Sequence, residues 1–222
     1  MVKFQNLRVI LIGGSSHAGK STVAQALALQ LGWNYQSTDK IAKHPGRPWR
    51  APPKTVPEHV AAHYLTLSVD ELVADVMRHY RDNVWPLVET LVASHATGGS
   101  SERLVLEGSA LLPDFVATMK LENVAAIWLT GSRELFEQRI RQTSGYETKT
   151  PVERKMIDRF LDRTWRYNES MVDAVSRLGL ASVQVDNVGN SDELLSACLT
   201  ELRKQNSNPP HRTRVSLDTG TS

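Results

Sequence analysis

The sequence predicts a three-layer α/β fold, a parallel sheet with helices on both faces. Three observations carry this. Apolar runs suited to buried strands alternate with amphipathic stretches. The first such pair is joined by a glycine-rich turn. A length of 222 residues with 41% hydrophobic content suits one domain with a sizeable core.

The elements follow in order. "LRVILI" (7–12) is a continuous apolar run closed by Gly13-Gly14, as expected of a strand buried on both faces. Val23, Leu27 and Leu31 then recur at helical spacing, and Gly32 supplies a stop. "NYQS" (34–37) reads as the second strand. After it comes "TDKIAKHPGRPWRAPPKTVP", with five prolines between 45 and 57. Such a stretch is a loop, and long loops in compact domains are usually functional. "SVDE" (68–71) is a capping box that opens a helix to about residue 95, kinked at Pro86. "RLVLEG" (103–108) is the third strand and ends on a carboxylate, and Pro113 starts a short helix. "VAAIWLTG" (124–131) is the fourth strand, followed by a helix from Ser132 to about Arg141 and a polar loop over 142–149. "TPVE" (150–153) is a second capping box, opening a helix to about residue 178. "SVQVDN" (182–187) is the fifth strand and "SDELLSACLTELRK" (191–204) the last helix. The polar remainder, 206–222, is expected to be a disordered tail.

Composition narrows the function classes. A formal net charge of +2 argues against a dedicated nucleic-acid binder. Cys198 is the only cysteine, so no internal disulfide forms, and the seven histidines lack zinc spacing. Neither a secretory signal nor an apolar run of about 20 residues is present, so a cytoplasmic protein without a membrane partner is expected.

Gly14-Ser15-Ser16-His17-Ala18-Gly19-Lys20-Ser21 fits G-x-x-x-x-G-K-[ST], the Walker A pattern, and Thr22 follows it. In such a loop the backbone N–H groups converge on phosphate oxygens and the next helix offers its positive end. Lys20 would reach the β- and γ-phosphates and Ser21 would bind Mg²⁺. His17 occupies a variable position of the cradle. The loop therefore implies a nucleoside triphosphate, ATP or GTP, held with Mg²⁺.

Three classes of enzyme share this loop. A GTPase needs a base-reading N-K-x-D, which is absent. A motor-type ATPase needs an Asp-Glu pair on a strand end, and "VLEG" has one acid. A small-molecule kinase needs an acceptor segment, a carboxylate near the acceptor hydroxyl and an arginine-bearing lid. Asp39 follows the second strand, at the carboxyl edge where ligands bind in parallel sheets. It would orient or deprotonate the acceptor; the competing reading is a helix N-cap at "DKIAK". Glu107, ending the third strand, would hold a Mg²⁺-bound water or contact the acceptor. Lys40, Lys43, His44, Arg47, Arg50 and Lys54 carry charge with no acid among them. This is either a solvated face or, with Arg47 and Arg50 as forks, a seat for phosphate or carboxylate. On the helix after Pro151, Lys155, Arg159, Arg163 and Arg166 fall within about 80° of one another. Asp158 and Asp162 answer part of this charge, and transferring phosphate is the preferred partner for the rest. Arg139 would flank the nucleotide, and Gly145 would serve as a hinge.

"GGSSHAGKST", "STD" (37–39) and "LEGSALLP" (106–113) together resemble the adenylate-kinase-like branch of P-loop kinases, which includes shikimate and gluconate kinases. Within it the sequence looks most like 2-phosphoglycerate kinase. The resemblance spans roughly residues 7 to 187. It implies a five-stranded P-loop NTPase sheet in the order 2-3-1-4-5 and a lid between the fourth and fifth strands. It also implies one kinase domain over 1–205, with 57–95 as an acceptor-side helical insertion and 142–160 as the lid. That family has an arginine three residues after its S-T-D aspartate, where Ala42 stands here. The expected activity is transfer of phosphate from ATP to a hydroxyl of a small anionic metabolite. Two alternatives remain. One is a nucleoside or nucleotide kinase with a base-sized aromatic pocket near Trp49, Tyr64 and Trp85. The other is a nucleotide-gated ATPase or regulatory module.

Overall fold

A computed structural model describes residues 4–41, 46–51 and 54–207. Lys43 and His44 of the basic loop, Ala42, and the expected tail beyond Ser207 lie outside the described residues.

Five parallel strands form the sheet: β1 (Val9–Gly14), β2 (Asn34–Ser37), β3 (Leu104–Glu107), β4 (Val124–Thr130) and β5 (Ser182–Gln184). Their order is β2-β3-β1-β4-β5, as expected. β1 is central because both of its faces are apolar. Ile10 and Ile12 enter one core, Val9 and Leu11 the other. A strand with no polar face is stable only with helices on both sides.

The first core is closed by α1 (Lys20–Leu31) and, later in the chain, by α6 (Arg133–Ser144) and α8 (Ser191–Ser207). The second is closed by α4 (Trp85–Ala96) and α5 (Pro113–Thr118). Between these, α2 (Glu58–Thr66) and α3 (Val69–His79) lie on the acceptor side of the sequence reading. α7 (Pro151–Arg177) reaches both cores: Met156, Ile157 and Phe160 enter the first, Tyr167, Met171 and Val175 the second. At about 1.5 Å per residue it is long enough to cross the sheet.

Several boundaries differ from the sequence reading, each for a physical reason. β1 runs two residues further, to Gly14, because Gly13 and Gly14 pair with Trp128 and Leu129 of β4. β5 ends at Gln184 and gives way to a 3-10 turn over Val185–Asn187. α6 continues to Ser144, where Gly145 caps it in the left-handed conformation, and a 3-10 turn over Tyr146–Thr148 replaces the expected open loop. α8 continues to Ser207, so the first residues of the expected tail are helical. The Gln205 amide accepts from the Ala126 N–H and donates to its carbonyl, which ties the helix end to β4.

The expected kinked helix over 68–95 is two helices joined by a π-helical turn, Tyr80–Val84. Pro86 is the cause. Its ring cannot sit under the carbonyl four residues back, so the turn widens. The Trp85 N–H then bonds the carbonyl of Tyr80, five residues back. Both capping boxes form, at Ser68–Glu71 and Thr150–Glu153. Among the described residues no helix is long and apolar enough to cross a membrane.

Gly108 couples two strand ends. It adopts φ +157°, and a Cβ there would overlap the Thr38 hydroxyl. Gly108→Ala should therefore push Thr38 and its neighbour Asp39 away from β3. It should cost about 1–3 kcal/mol, an overpacking penalty, read as a lower urea midpoint with unchanged m-value.

Candidate active site

The carboxyl ends of β1, β2 and β3 bring the site together. The chain leaves β1 through Gly14, where a side chain would collide with the Leu129 carbonyl (2.6 Å from a built Cβ). The loop then curls so that the Ala18 N–H reaches the Ser15 carbonyl at 3.3 Å, and α1 begins at Lys20. Lys20 is only 8% exposed. Its ammonium donates to the Ser15 carbonyl at 2.7 Å, folded back along its own loop. Burial lowers its pKa, while the Glu107 and Asp39 carboxylates oppose this and Arg47 adds to it. The two sequence-predicted acids and the loop lysine thus share one electrostatic neighbourhood.

Ser21 and Glu107 meet directly: the hydroxyl donates to Oε1 at 3.1 Å. Tyr35 donates to the same oxygen, also at 3.1 Å. Glu107 is 2% exposed, and these two hydroxyls satisfy its buried Oε1. A hydroxyl and a carboxylate at a helix N-terminus are hard oxygen donors that fit Mg²⁺. That ion typically takes one or two protein oxygens and completes its shell with phosphate and water. Among the described residues no cluster of three or more His, Cys, Asp or Glu is placed to hold a metal.

Asp39 is exposed in a 3-10 turn, Thr38–Lys40, whose N-cap is Ser37: Ser37 Oγ accepts from the Asp39 N–H at 3.3 Å. Asp39 is therefore not the cap that the competing reading proposed. Its side chain is left facing solvent at the strand edge.

The arginines of the lid helix do not converge. Arg163 is 7% exposed, with its Cζ 4.7 Å from the Phe160 ring centre and 5.6 Å from that of Tyr64. Its Nη1 is buried and makes no hydrogen bond. It faces a narrow cavity lined by Ser16, Tyr80, Ser109, Thr164 and Tyr167. Arg159, one turn earlier, donates to the Leu67 carbonyl between α2 and α3 at 2.9 Å. Arg166 lies on an outer groove with Asp114, Glu169 and Asp173. Arg139 donates to the His17 carbonyl at 2.8 Å and so clamps the loop from α6. Arg47 stacks on Trp49 at 6.0 Å, and its charge reaches Lys20 and His17. Arg50 instead donates to the carbonyls of Arg47 and Trp49, bracing its own loop.

Trp49 packs on Phe160 (4.9 Å) and His17 (5.8 Å), and Tyr64 lies 6.1 Å from Phe160. Trp85 packs on Phe115 in the other core. The aromatic residues expected around a base therefore do not line one pocket. Tyr35 and Tyr80 join the site without any marking motif, and Ser109 joins it from within "LEGSALLP". The signal for Tyr80 was Pro86, whose widened turn sets the Tyr80 phenol near Ser109, with Arg163 and Asp39 close enough to influence it. Burial pushes the Tyr80 pKa up to about 12, so it stays a neutral donor.

Against known proteins, no protein-family model and no curated protein matches the chain. Solved structures do match. A gluconokinase from Sinorhizobium meliloti 1021 aligns with TM-score 0.53 at 18% identity, over 93% of this chain and 97% of that one. A shikimate kinase from Aquifex aeolicus vf5 aligns with TM-score 0.51 at 17% identity, over 90% and 98%. A sugar kinase from Janibacter sp. HTCC2649 aligns with TM-score 0.50 at 16% identity, over 90% and 97%. The chain has the fold of these P-loop kinases. At such identities the likeness speaks for the fold and its near-complete coverage of each chain.

His17 offers a test of the local electrostatics. It holds φ +66°, a left-handed conformation uncommon for a non-glycine residue. Thr143 Oγ1 spends its proton on the Arg139 carbonyl, so His17 Nε2 donates to Thr143 and Nδ1 is a buried bare lone pair. Burial, then Arg47, Lys20 and Arg139, lower its pKa from 6.5 to about 3. The folded state thus holds the imidazole neutral where the unfolded chain protonates it. That contribution to stability is complete above pH 6.5 and is lost as pH falls towards 3. His17→Asn keeps a residue that tolerates this backbone. Comparing urea midpoints across that range, the stability difference should move steadily in favour of His17→Asn as pH falls.

Proposed function

We propose that this chain is an ATP- and Mg²⁺-dependent kinase that phosphorylates a hydroxyl of a small, anionic metabolite. One observation carries the reading: a buried Arg163 guanidinium beside Ser16 of the phosphate loop, held by two aromatic faces and with no hydrogen bond to its Nη1. A guanidinium removed from water without an anion is costly, and a transferring phosphoryl group supplies that anion. Arg163, on α7 just beyond the lid, is the arginine of that helix best placed for this role, and Arg159 then ties the helix to the α2–α3 junction.

The other parts take roles by position. Residues 14–22 bind the triphosphate, with Lys20 leaving the Ser15 carbonyl for phosphate oxygens. Arg139 flanks the nucleotide while holding the loop. Ser21 and Glu107 hold Mg²⁺ and its water; bound there, the ion would neutralise β- and γ-phosphate charge. Asp39 sits at the acceptor end and orients the attacking hydroxyl or takes its proton. Arg47 holds the acceptor's anionic group, in a loop braced by Arg50. Residues 57–95 form the acceptor side and 142–160 the lid.

The finer resemblance, to 2-phosphoglycerate kinase, rests on the three sequence motifs. The gluconokinase and shikimate kinase that share the fold add gluconate and shikimate as first acceptors to try with 2-phosphoglycerate. The test is acceptor-stimulated ADP release from ATP, with these compounds and then with fractionated metabolites. No stimulation by any fraction would favour the nucleotide-gated module instead. With an acceptor in hand, Asp39→Asn should lower kcat by about 10²–10⁴-fold while ATP binding survives. Unchanged turnover would remove Asp39 from the mechanism. Arg163→Lys should lower kcat by about 10²–10³-fold with little change in the KM for ATP.

A further inference from the structure

Side chains from three elements meet at one oxygen atom. Ser21 at the start of α1 and Tyr35 on β2 both donate to Oε1 of Glu107 at the end of β3. Both hydrogen bonds fall on Oε1, and neither donor makes one to Oε2. Gln25, one turn beyond Ser21, reaches the same Tyr35 phenol. β2 is an edge strand, so Tyr35 arrives from outside the central strands.

This arrangement has a physical consequence. The terminal torsion of a glutamate is broad and two-fold, so a lone carboxylate exchanges its oxygens freely. Two donors on one oxygen select a single orientation. Ser21 has one proton to give, and its lone pairs are what a metal takes. Its grip on Glu107 therefore changes when a metal arrives. Tyr35 is not among the metal's own oxygen donors in this reading, so its bond to Glu107 is not surrendered to the ion. A tyrosine on an edge strand often serves only to cover apolar surface. Here the hydroxyl is spent on the one buried acid at the cradle.

We propose that Tyr35 is a positioning residue for Mg²⁺. Its phenol pins Glu107 so that Oε2 and the Ser21 hydroxyl are offered together to the ion and its water. The inference rests on the kinase reading of Ser21 and Glu107.

The test needs no acceptor. Binding of the non-hydrolysable analogue AMP-PNP is measured by calorimetry in EDTA and across a Mg²⁺ titration, for wild type, Tyr35→Phe and Tyr35→Leu. Both variants should raise the half-saturating Mg²⁺ concentration about ten-fold, and affinity in EDTA should stay within about two-fold of wild type. An unchanged Mg²⁺ requirement in Tyr35→Phe overturns the proposal. So does an effect seen only in Tyr35→Leu, which would assign the role to the ring. So does an equal loss in EDTA, which would mean the loop itself is damaged. If wild type does not bind AMP-PNP at all, the kinase reading falls and takes this proposal with it.

Discussion

Two cations, Lys20 and Arg163, are buried against a single glycine-rich loop, and much of the molecule is arranged around that fact. Each is costly to desolvate, and each is handled differently. Lys20 borrows a backbone carbonyl of its own loop and lies within reach of two carboxylates. Arg163 is flanked by the faces of Phe160 and Tyr64, which offer only the weaker attraction of aromatic rings. His17, placed amid this positive charge, must remain neutral. Under the proposed function such a loop would be preorganised for phosphate, because its charges are already out of water before a ligand arrives.

Three parts of the chain hold those cations in place. The sheet presents β1 between β3 and β4, so the loop leaves the most buried strand of the fold. α7 lies over it, with the Thr164 carbonyl accepting from Ser15 and Asn168 donating to the Gly131 carbonyl. The π-helical turn before Pro86 puts Tyr80 on the far side of the same cavity, where its ring meets Tyr167. The cleft is therefore framed by a strand end, a long helix and a deliberate irregularity between two helices.

What could be read from the sequence follows from range. The loop, both capping boxes and the two-faced β1 depend on residues within a few positions, and they were legible. The strand order followed from family resemblance, since periodicity says nothing about which strands are neighbours. The end of α8 was not legible, because Gln205 is anchored 79 residues away in sequence, on Ala126. Nor was the difference between Arg159 and Arg163. A helical wheel puts them on one side, yet they stand about 6 Å apart along the axis, and one level meets a carbonyl while the other meets a cavity. Pro86 announced a distortion without saying which residue it would aim. Tyr35 could not have been assigned to Glu107 at all, since strand alternation gives a face and not a partner.

Trp49 has one more implication. It belongs to the loop that carries Arg47 and Arg50, yet its ring touches His17 of the phosphate cradle and Phe160 of the helix that carries Arg163. The two halves of the cleft thus share an aromatic joint rather than standing as separate compartments. Linkage then makes the traffic reciprocal. Whatever factor a molecule seated at the basic loop would impose through this joint on the affinity for the proposed nucleotide, that nucleotide would impose the same factor in return.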